Sequence, residues 1–323
     1  MIHTDWRPMP RNACQRAAWT TLFLALSWLA ILAGPVWAAS ASFTELVFPI
    51  GSGPQELGFV SLDPDGPDQG PVAILPASGG ILILDAPNRR LMHCNQSGHL
   101  EQRFVVPEGL YRDMTSDTEG AIRLADQKQR RIYKSTDTGF TKAFDIPLAS
   151  GPRQFDFLQC HGRMLVIGDF ATRALYWYQA DGTLAHQQPW PISFSLHTAP
   201  NGHLAFLAKD AEQRCRTLLF LDETGKTVRE TVLVEADIQP LLDSARLLGF
   251  APDGKAVNLA WTQEGPARTV IFLANGKGQT RVLAEIPEFP ALAGRYGAIV
   301  GNHLWINTTS IRATAIRFRI FPF

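Results

Sequence analysis

One pattern recurs along the chain and constrains its fold more than composition does. The segments ILILDAPNRRLMHCNQSG (81–98), AIRLADQKQRRIYKSTDTG (121–139) and MLVIGDFATRALYWYQADG (164–182) each carry an apolar run ending in Asp85, Asp126 or Asp169. Arg89, Arg130 or Arg173 then opens a second run, and Gly98, Gly139 or Gly182 closes a turn. A fourth copy, LAFLAKDAEQRCRTLLFLDETG (204–225), keeps Asp210, Arg214 and Gly225. Two weaker copies follow: AVNLAWTQEGPARTVIFLANGKG (256–278) has Thr262 in the Asp position, and LWINTTSIRATAIRFRIF (304–321) has Asn307 there and Arg312 downstream.

Positions 85, 126, 169, 210, 262 and 307 lie 41, 43, 41, 52 and 45 residues apart. Short alternating runs with turn signals at such a period predict four-stranded propeller blades. After each turn Gly comes another strand, as in EQRFVVP (101–107), FTKAFDIP (140–147) and TRVLAEIP (280–287). These are expected to be outer strands, where a terminal Pro removes a donor and discourages further pairing. The last copy stops after its third strand, and FTELVFP (43–49) has the missing outer strand's character. The fold class expected is therefore all-β, a six-bladed β-propeller closed by the N-terminal strand completing the last blade.

Asp85, Asn88, Arg89 and Arg90, with the turn Gly that follows, make the chain resemble the NHL-repeat family of six-bladed propellers. The opening FPIGSGPQELG (48–58) is similar to that family's blade-to-blade connection. The resemblance spans almost the whole sequence after the leader; the fifth and sixth copies depart from its pattern.

Arg7, Arg11 and Arg16 precede an apolar stretch from Ala17 to Trp37, and small residues follow from Ala38 to Ala41. This is the pattern of a secretory signal, with Val36 and Ala38 flanking a cleavage. Residues 1–38 are expected to be a signal peptide and 39–323 a single propeller in the periplasm or outside the cell. The alternative is an uncleaved leader serving as an anchor. Without residues 1–38 the chain keeps 27 basic and 29 acidic side chains, so neither nucleic acid nor a membrane surface is an expected partner. Cys94, Cys160 and Cys215 follow the leader without Cys-x-x-Cys spacing, and they read as small buried residues.

The repeated Asp85, Asp126, Asp169 and Asp210 invite comparison with a carboxylate ring. Strand-end Asp residues accept hydrogen bonds from loop amides, however, and Arg89, Arg130, Arg173 and Arg214 can tie those loops to their neighbours. A structural role is expected for all eight. The starts of the inner strands are more informative, because these strands line the channel. Arg112, Arg153, Arg246 and Arg295 stand there, with Phe194 in the fourth blade and Asp113 and Asp156 as nearby carboxylates. A protein, an anionic small molecule or a glycan could be held at that loop face; alternatively each Arg pairs within its own blade.

Other features offer less. Tyr176, Trp177 and Tyr178 alternate between two faces of a strand, and residues 235–248 lengthen one connection. His161, His203 and His303 lie beside turns, and His197 alone is placed on an inner strand, where packing is the ordinary reading. No nucleophile elbow, His-Glu-x-x-His, phosphate loop or dinucleotide fingerprint occurs, so no cofactor, catalytic residue or metal-ligand set is expected. Six-bladed propellers also include calcium-dependent lactonases and arylesterases, but their cage of side-chain oxygens is not evident here. The resulting expectation leans to a non-catalytic binding or scaffold module, the alternative being a metal-dependent propeller hydrolase or a lyase.

Overall fold

The computed structural model describes residues 42–60, 70–190, 195–209, 215–234, 245–261, 269–286, 295–309 and 314–323. The expected leader, Asp210, Arg214, Phe194, Thr262, Arg312 and residues 235–244 lie outside them. Among the described residues, strands form six four-stranded antiparallel sheets, the blades of a β-propeller.

Blade 1 comprises β2 (Ala73–Ala77), β3 (Gly80–Asp85), β4 (Arg90–Asn95) and β5 (Leu100–Val105). Blade 2 comprises β6 (Met114–Ser116), β7 (Ile122–Asp126), β8 (Arg131–Thr136) and β9 (Gly139–Asp145). Blade 3 comprises β10 (Phe157–His161), β11 (Met164–Asp169), β12 (Ala174–Tyr178) and β13 (Leu184–Pro189). Blade 4 comprises β14 (His197–Thr198), β15 (Leu204–Lys209), β16 (Cys215–Leu221) and β17 (Thr227–Val232). Blade 5 comprises β18 (Arg246–Phe250), β19 (Ala256–Trp261), β20 (Thr269–Ala274) and β21 (Thr280–Ile286). In blade 6, β22 (Gly297–Val300), β23 (His303–Asn307) and β24 (Ala315–Pro322) are completed by β1 (Thr44–Pro49).

The first strands of the blades contact one another in a closed ring, β2 to β6, β10, β14, β18, β22 and back to β2, so they line the central channel. Middle strands read as continuous apolar runs because both faces are covered: β12, β19 and β20 are buried throughout. Outer strands face solvent on one side, and β13 alternates accordingly. Among the described residues the core divides into six apolar clusters, one in each seam between neighbouring blades.

Closure follows the expected route. β1 pairs antiparallel with β24 from Thr44 opposite Ile320 to Pro49 opposite Ala315. The segment after β1 is then sewn onto blade 1. Asn88 donates to the Gly51 carbonyl at 2.7 Å and Arg90 Nη2 to that of Glu56 at 2.6 Å, while Gln55 exchanges hydrogen bonds with both backbone groups of Leu100.

The aromatic triplet is absorbed by packing on both faces. Tyr176 and Tyr178 lie in the seam with blade 2 and Trp177 in the seam with blade 4, so none offers an exposed contact. The thiols of Cys94 and Cys160 are free, and burial pushes each up to about 12.

Trp177 is flanked by two imidazoles. His186 stacks on it at 4.9 Å, and His161 meets it edge-on at 5.7 Å with neither ring nitrogen hydrogen-bonded. Burial holds His161 below its ordinary value, opposed by Glu223 and Asp222 of blade 4 and reinforced by His203; burial also lowers His186. Both groups bind protons less readily folded than unfolded. Their contribution is therefore complete above the ordinary histidine range and is lost as pH falls through the folded values. Urea unfolding should show stability dropping as pH falls below about 7, through the ordinary histidine range, with His161→Phe making that drop smaller. An identical pH slope in the variant would assign the acid sensitivity elsewhere.

Candidate functional site at the channel

The repeated carboxylates organise loops. Asp85 Oδ1 accepts from the Gly58 amide at 3.0 Å, and its Oδ2 accepts from Asn88 and from Arg90 Nε at 2.9 and 2.8 Å. Asp126 Oδ1 accepts from the amides of Leu110, Lys128 and Gln129. Asp169 accepts from the amides of Arg153, Ala171 and Thr172 and from the Thr172 hydroxyl. In blade 6, Asn307 takes the same position and accepts from the Thr309 amide and hydroxyl.

The arginine that pairs with Asp85 is Arg90, whereas Arg89 acts through its backbone. Arg89, Arg130 and Arg173 have φ of 54°, 55° and 52°, a left-handed turn conformation that costs a non-Gly residue roughly 1 kcal/mol. Each carbonyl then accepts a 2.8 Å hydrogen bond from the residue that ends the outer strand's path, Val106, Ile146 or Trp190. The tie to the neighbouring loop is thus chiefly main-chain, although Arg130 also donates to the Ile146 and Pro147 carbonyls.

The four inner-strand arginines fall into two pairs. Arg295 leaves blade 6 and crosses to blades 2 and 3. Its Nε and Nη2 meet the Asp113 carboxylate at 3.1 and 3.3 Å, and Nη2 also donates to the Leu158 carbonyl at 2.8 Å and to Gln159 at 3.2 Å. Asp113 further accepts from the Met114 and Leu158 amides. Arg246 is buried, its guanidinium 4.9 Å from the Trp261 ring centre and 5.4 Å from that of Tyr296. By contrast, Arg112 and Arg153, on the segments that lead into β6 and β10, are exposed. Arg112 Nη1 reaches Asp156 Oδ1 at 3.3 Å; burial raises the Asp156 carboxyl, against the lowering by the Phe170 amide and Arg112. The within-blade alternative therefore fails for Arg112 and Arg295, both of which pair across blades.

Between the starts of β10, β14, β18 and β22 lies a narrow cleft lined by Phe157, Ser195, His197, Arg246, Arg295 and Tyr296, with about 10 Å³ for a water centre, room for about one molecule. His197, read from sequence as packing, is part of its wall. Desolvation and the Arg295 charge hold His197 well below its ordinary value, with a hydrogen bond to the Leu247 backbone opposing them. Tyr296 is shifted the other way: burial raises its hydroxyl, offset in part by Arg246. The cleft therefore holds a neutral imidazole and a neutral phenol. Ser195 adds a hydroxyl that donates to the Leu247 carbonyl at 2.6 Å. Sequence reasoning missed Ser195 and Tyr296; the adjacency of Tyr296 to Arg295 was the available signal.

The calcium associated with lactonase-like propellers is not matched by these residues. A calcium ion takes six to eight oxygens. Both oxygens of Asp113 and of Asp156 already accept hydrogen bonds, and a guanidinium sits against each carboxylate. Among the described residues no group of three or more His, Cys, Asp or Glu side chains is placed to hold a metal.

No protein-family model matches the chain, and no curated protein matches it in sequence. Solved structures do resemble it. A virginiamycin B lyase from Staphylococcus aureus, in a catalytically inactive histidine-to-alanine form with quinupristin, has a TM-score of 0.50 at 10% identity, over 87% of this chain and all (100%) of the lyase. A gluconolactonase from Xanthomonas campestris has a TM-score of 0.51 at 11% identity, over 88% of this chain and 99% of its own. At such identities the likeness shows the fold. The expectation of a non-catalytic, protein-binding scaffold is nevertheless corrected: solved structures of this architecture are described as a lyase and a gluconolactonase. The chain is accordingly placed, by architecture, among the six-bladed β-propellers.

Proposed function

We propose that the chain is a hydrolase that opens an ester or lactone seated over the channel cleft, whose interior holds the attacking water, by acid–base chemistry of its own side chains. The observation that carries this reading is that His197 and Tyr296 line one cleft, in environments that drive their proton affinities apart. A neutral imidazole can take a proton from water, and a neutral phenol can give one to a departing alkoxide. The room for about one water beside His197 supports hydrolysis. Water attacks the carbonyl carbon as His197 takes its proton. The C–O bond then breaks as Tyr296 protonates the leaving oxygen, and the proton held by His197 returns through solvent to the tyrosinate, restoring both groups. Arg246 and Arg295 line the same cleft and offer positive charge where the carbonyl oxygen becomes anionic.

The fold's solved members described as a lyase and a gluconolactonase support an activity of this general kind. The leader pattern in residues 1–38 supports an extracytoplasmic setting. For the repeat, the Asp85–Arg90 turn supports the finer NHL-like reading.

The test is a panel of lactones and esters assayed with the wild type, His197→Gln and Tyr296→Phe, with and without a chelator. Loss of one general base or acid should lower kcat by about 100-fold or more while the melting curve stays in place. Product masses should show addition of one water; an isomeric, unsaturated product would instead identify elimination. Turnover that survives both substitutions would move the chemistry out of this cleft.

A further inference from the structure

We infer that Arg112 and Arg153 form an oxyanion-recognition subsite at the channel mouth, so that the substrate carries a carboxylate or phosphate beside its reactive ester. The inference rests on the cleft being the active site and adds the class of molecule it receives.

The argument is a division of labour among four guanidiniums. Arg295 is 10% exposed at its side chain and directs its donors into Asp113, Leu158 and Gln159. Arg246 is buried between aromatic rings. The other two are differently situated. Arg112 is 49% exposed at its side chain and has one ion pair, through Nη1, to Asp156. Arg153 is exposed, and among the described residues its only hydrogen bond is made by its backbone amide to Asp169.

Both are anchored at one corner of blade 3: the Arg153 amide donates to Asp169, and Asp156, which receives Arg112, accepts from the amide of the next residue, Phe170. Asp156, the partner of Arg112, lies three positions after Arg153 and immediately before Phe157, which lines the cleft. The acids nearby are already engaged. Asp169 has both oxygens bonded to its own loop and to the Arg153 amide, and Asp113 is closed by Arg295 and two amides. Two exposed guanidiniums thus flank the corner of blade 3 that leads into Phe157 of the cleft, and a planar fork of N–H groups matches an oxyanion in geometry as well as charge.

The test separates this inference from the catalytic reading by measuring binding without turnover. Malonate and inorganic phosphate are titrated separately into the full chain by calorimetry at low salt, using wild type, Arg112→Gln/Arg153→Gln, and Arg103→Gln as a control for an exposed arginine elsewhere. Wild type and control should bind at least one anion, and the double variant should lose affinity by about tenfold or more while still melting in a single cooperative transition. Malonate alone would identify a carboxylate reader, and phosphate alone a phosphate reader. If an ester is turned over, the double variant should raise KM for its anionic form more than for its neutral analogue. No binding by wild type, or equal binding by the double variant, would overturn the inference even if hydrolysis were established.

Discussion

Asp113→Ala is expected to cost about 3–5 kcal/mol in urea unfolding, a large share of the stability of a single domain. Asp113 has a side chain 1% exposed, and its two oxygens accept from Arg295 and from the amides of Met114 and Leu158. Truncation would leave a buried guanidinium without its countercharge and two amides without their acceptor. The penalty belongs mostly to what is left behind, because an ion pair inside a protein nearly balances its own desolvation. The double variant Asp113→Leu/Arg295→Met should therefore be more stable than Asp113→Ala by about 2 kcal/mol or more. A cycle showing simple additivity, or a cost near zero for Asp113→Ala, would mean that the strut across the channel is not formed in solution. The same variants bear on function. Arg295 helps to keep His197 unprotonated, so neutralising it should move the imidazole titration upward in NMR.

That strut also marks the limit of what can be read from the chain. The blade count, the closing strand and the Asp-ended hairpins were legible because each is a local pattern repeated at a fixed period, and closure needs only that an orphan strand find an orphan edge. Asp85 and its turn can be understood within six residues. The pairing of Arg295 with Asp113 spans 182 positions and exists only because the channel brings blades 6 and 2 face to face. In sequence, Arg246 and Arg112 look alike, each near the start of an inner strand. Their difference comes from Trp261 and Tyr296, rings supplied by a second strand and by the next blade. His197 was passed over for a related reason: one histidine without local partners reads as packing, and its partners lie on blades 5 and 6. The left-handed arginines are another such case, since their useful group is a carbonyl that every residue type carries. Periodic structure is thus visible in one dimension, whereas chemistry in a propeller channel is assembled radially from residues with no spacing in common.

The largest effect is expected from removing the closing strand. A chain begun at Ile50 loses β1, which supplies a six-residue ladder to β24. It also loses Phe48, buried in the seam between blades 6 and 1, and Glu45, which pairs with Arg317 and Arg319 at 3.0 and 3.1 Å. Burial of one Phe alone is worth about 1.5–3 kcal/mol, and the exposed β24 edge becomes a template for pairing with another copy. The loss goes beyond contacts, because β1 holds the 50–58 segment whose carbonyls receive Asn88 and Arg90. We expect a loss of more than about 4 kcal/mol, seen as a shortened or absent native baseline in urea and as oligomers in size-exclusion chromatography. A synthetic peptide spanning residues 42–58 should restore the monomer and the melting transition when added in excess, since the vacated edge specifies its register through alternation at Leu46 and Phe48. A truncated chain that remained monomeric and lost less than about 1 kcal/mol would show that the ring is held by its inner strands and seams, and that the terminal pairing only decorates it.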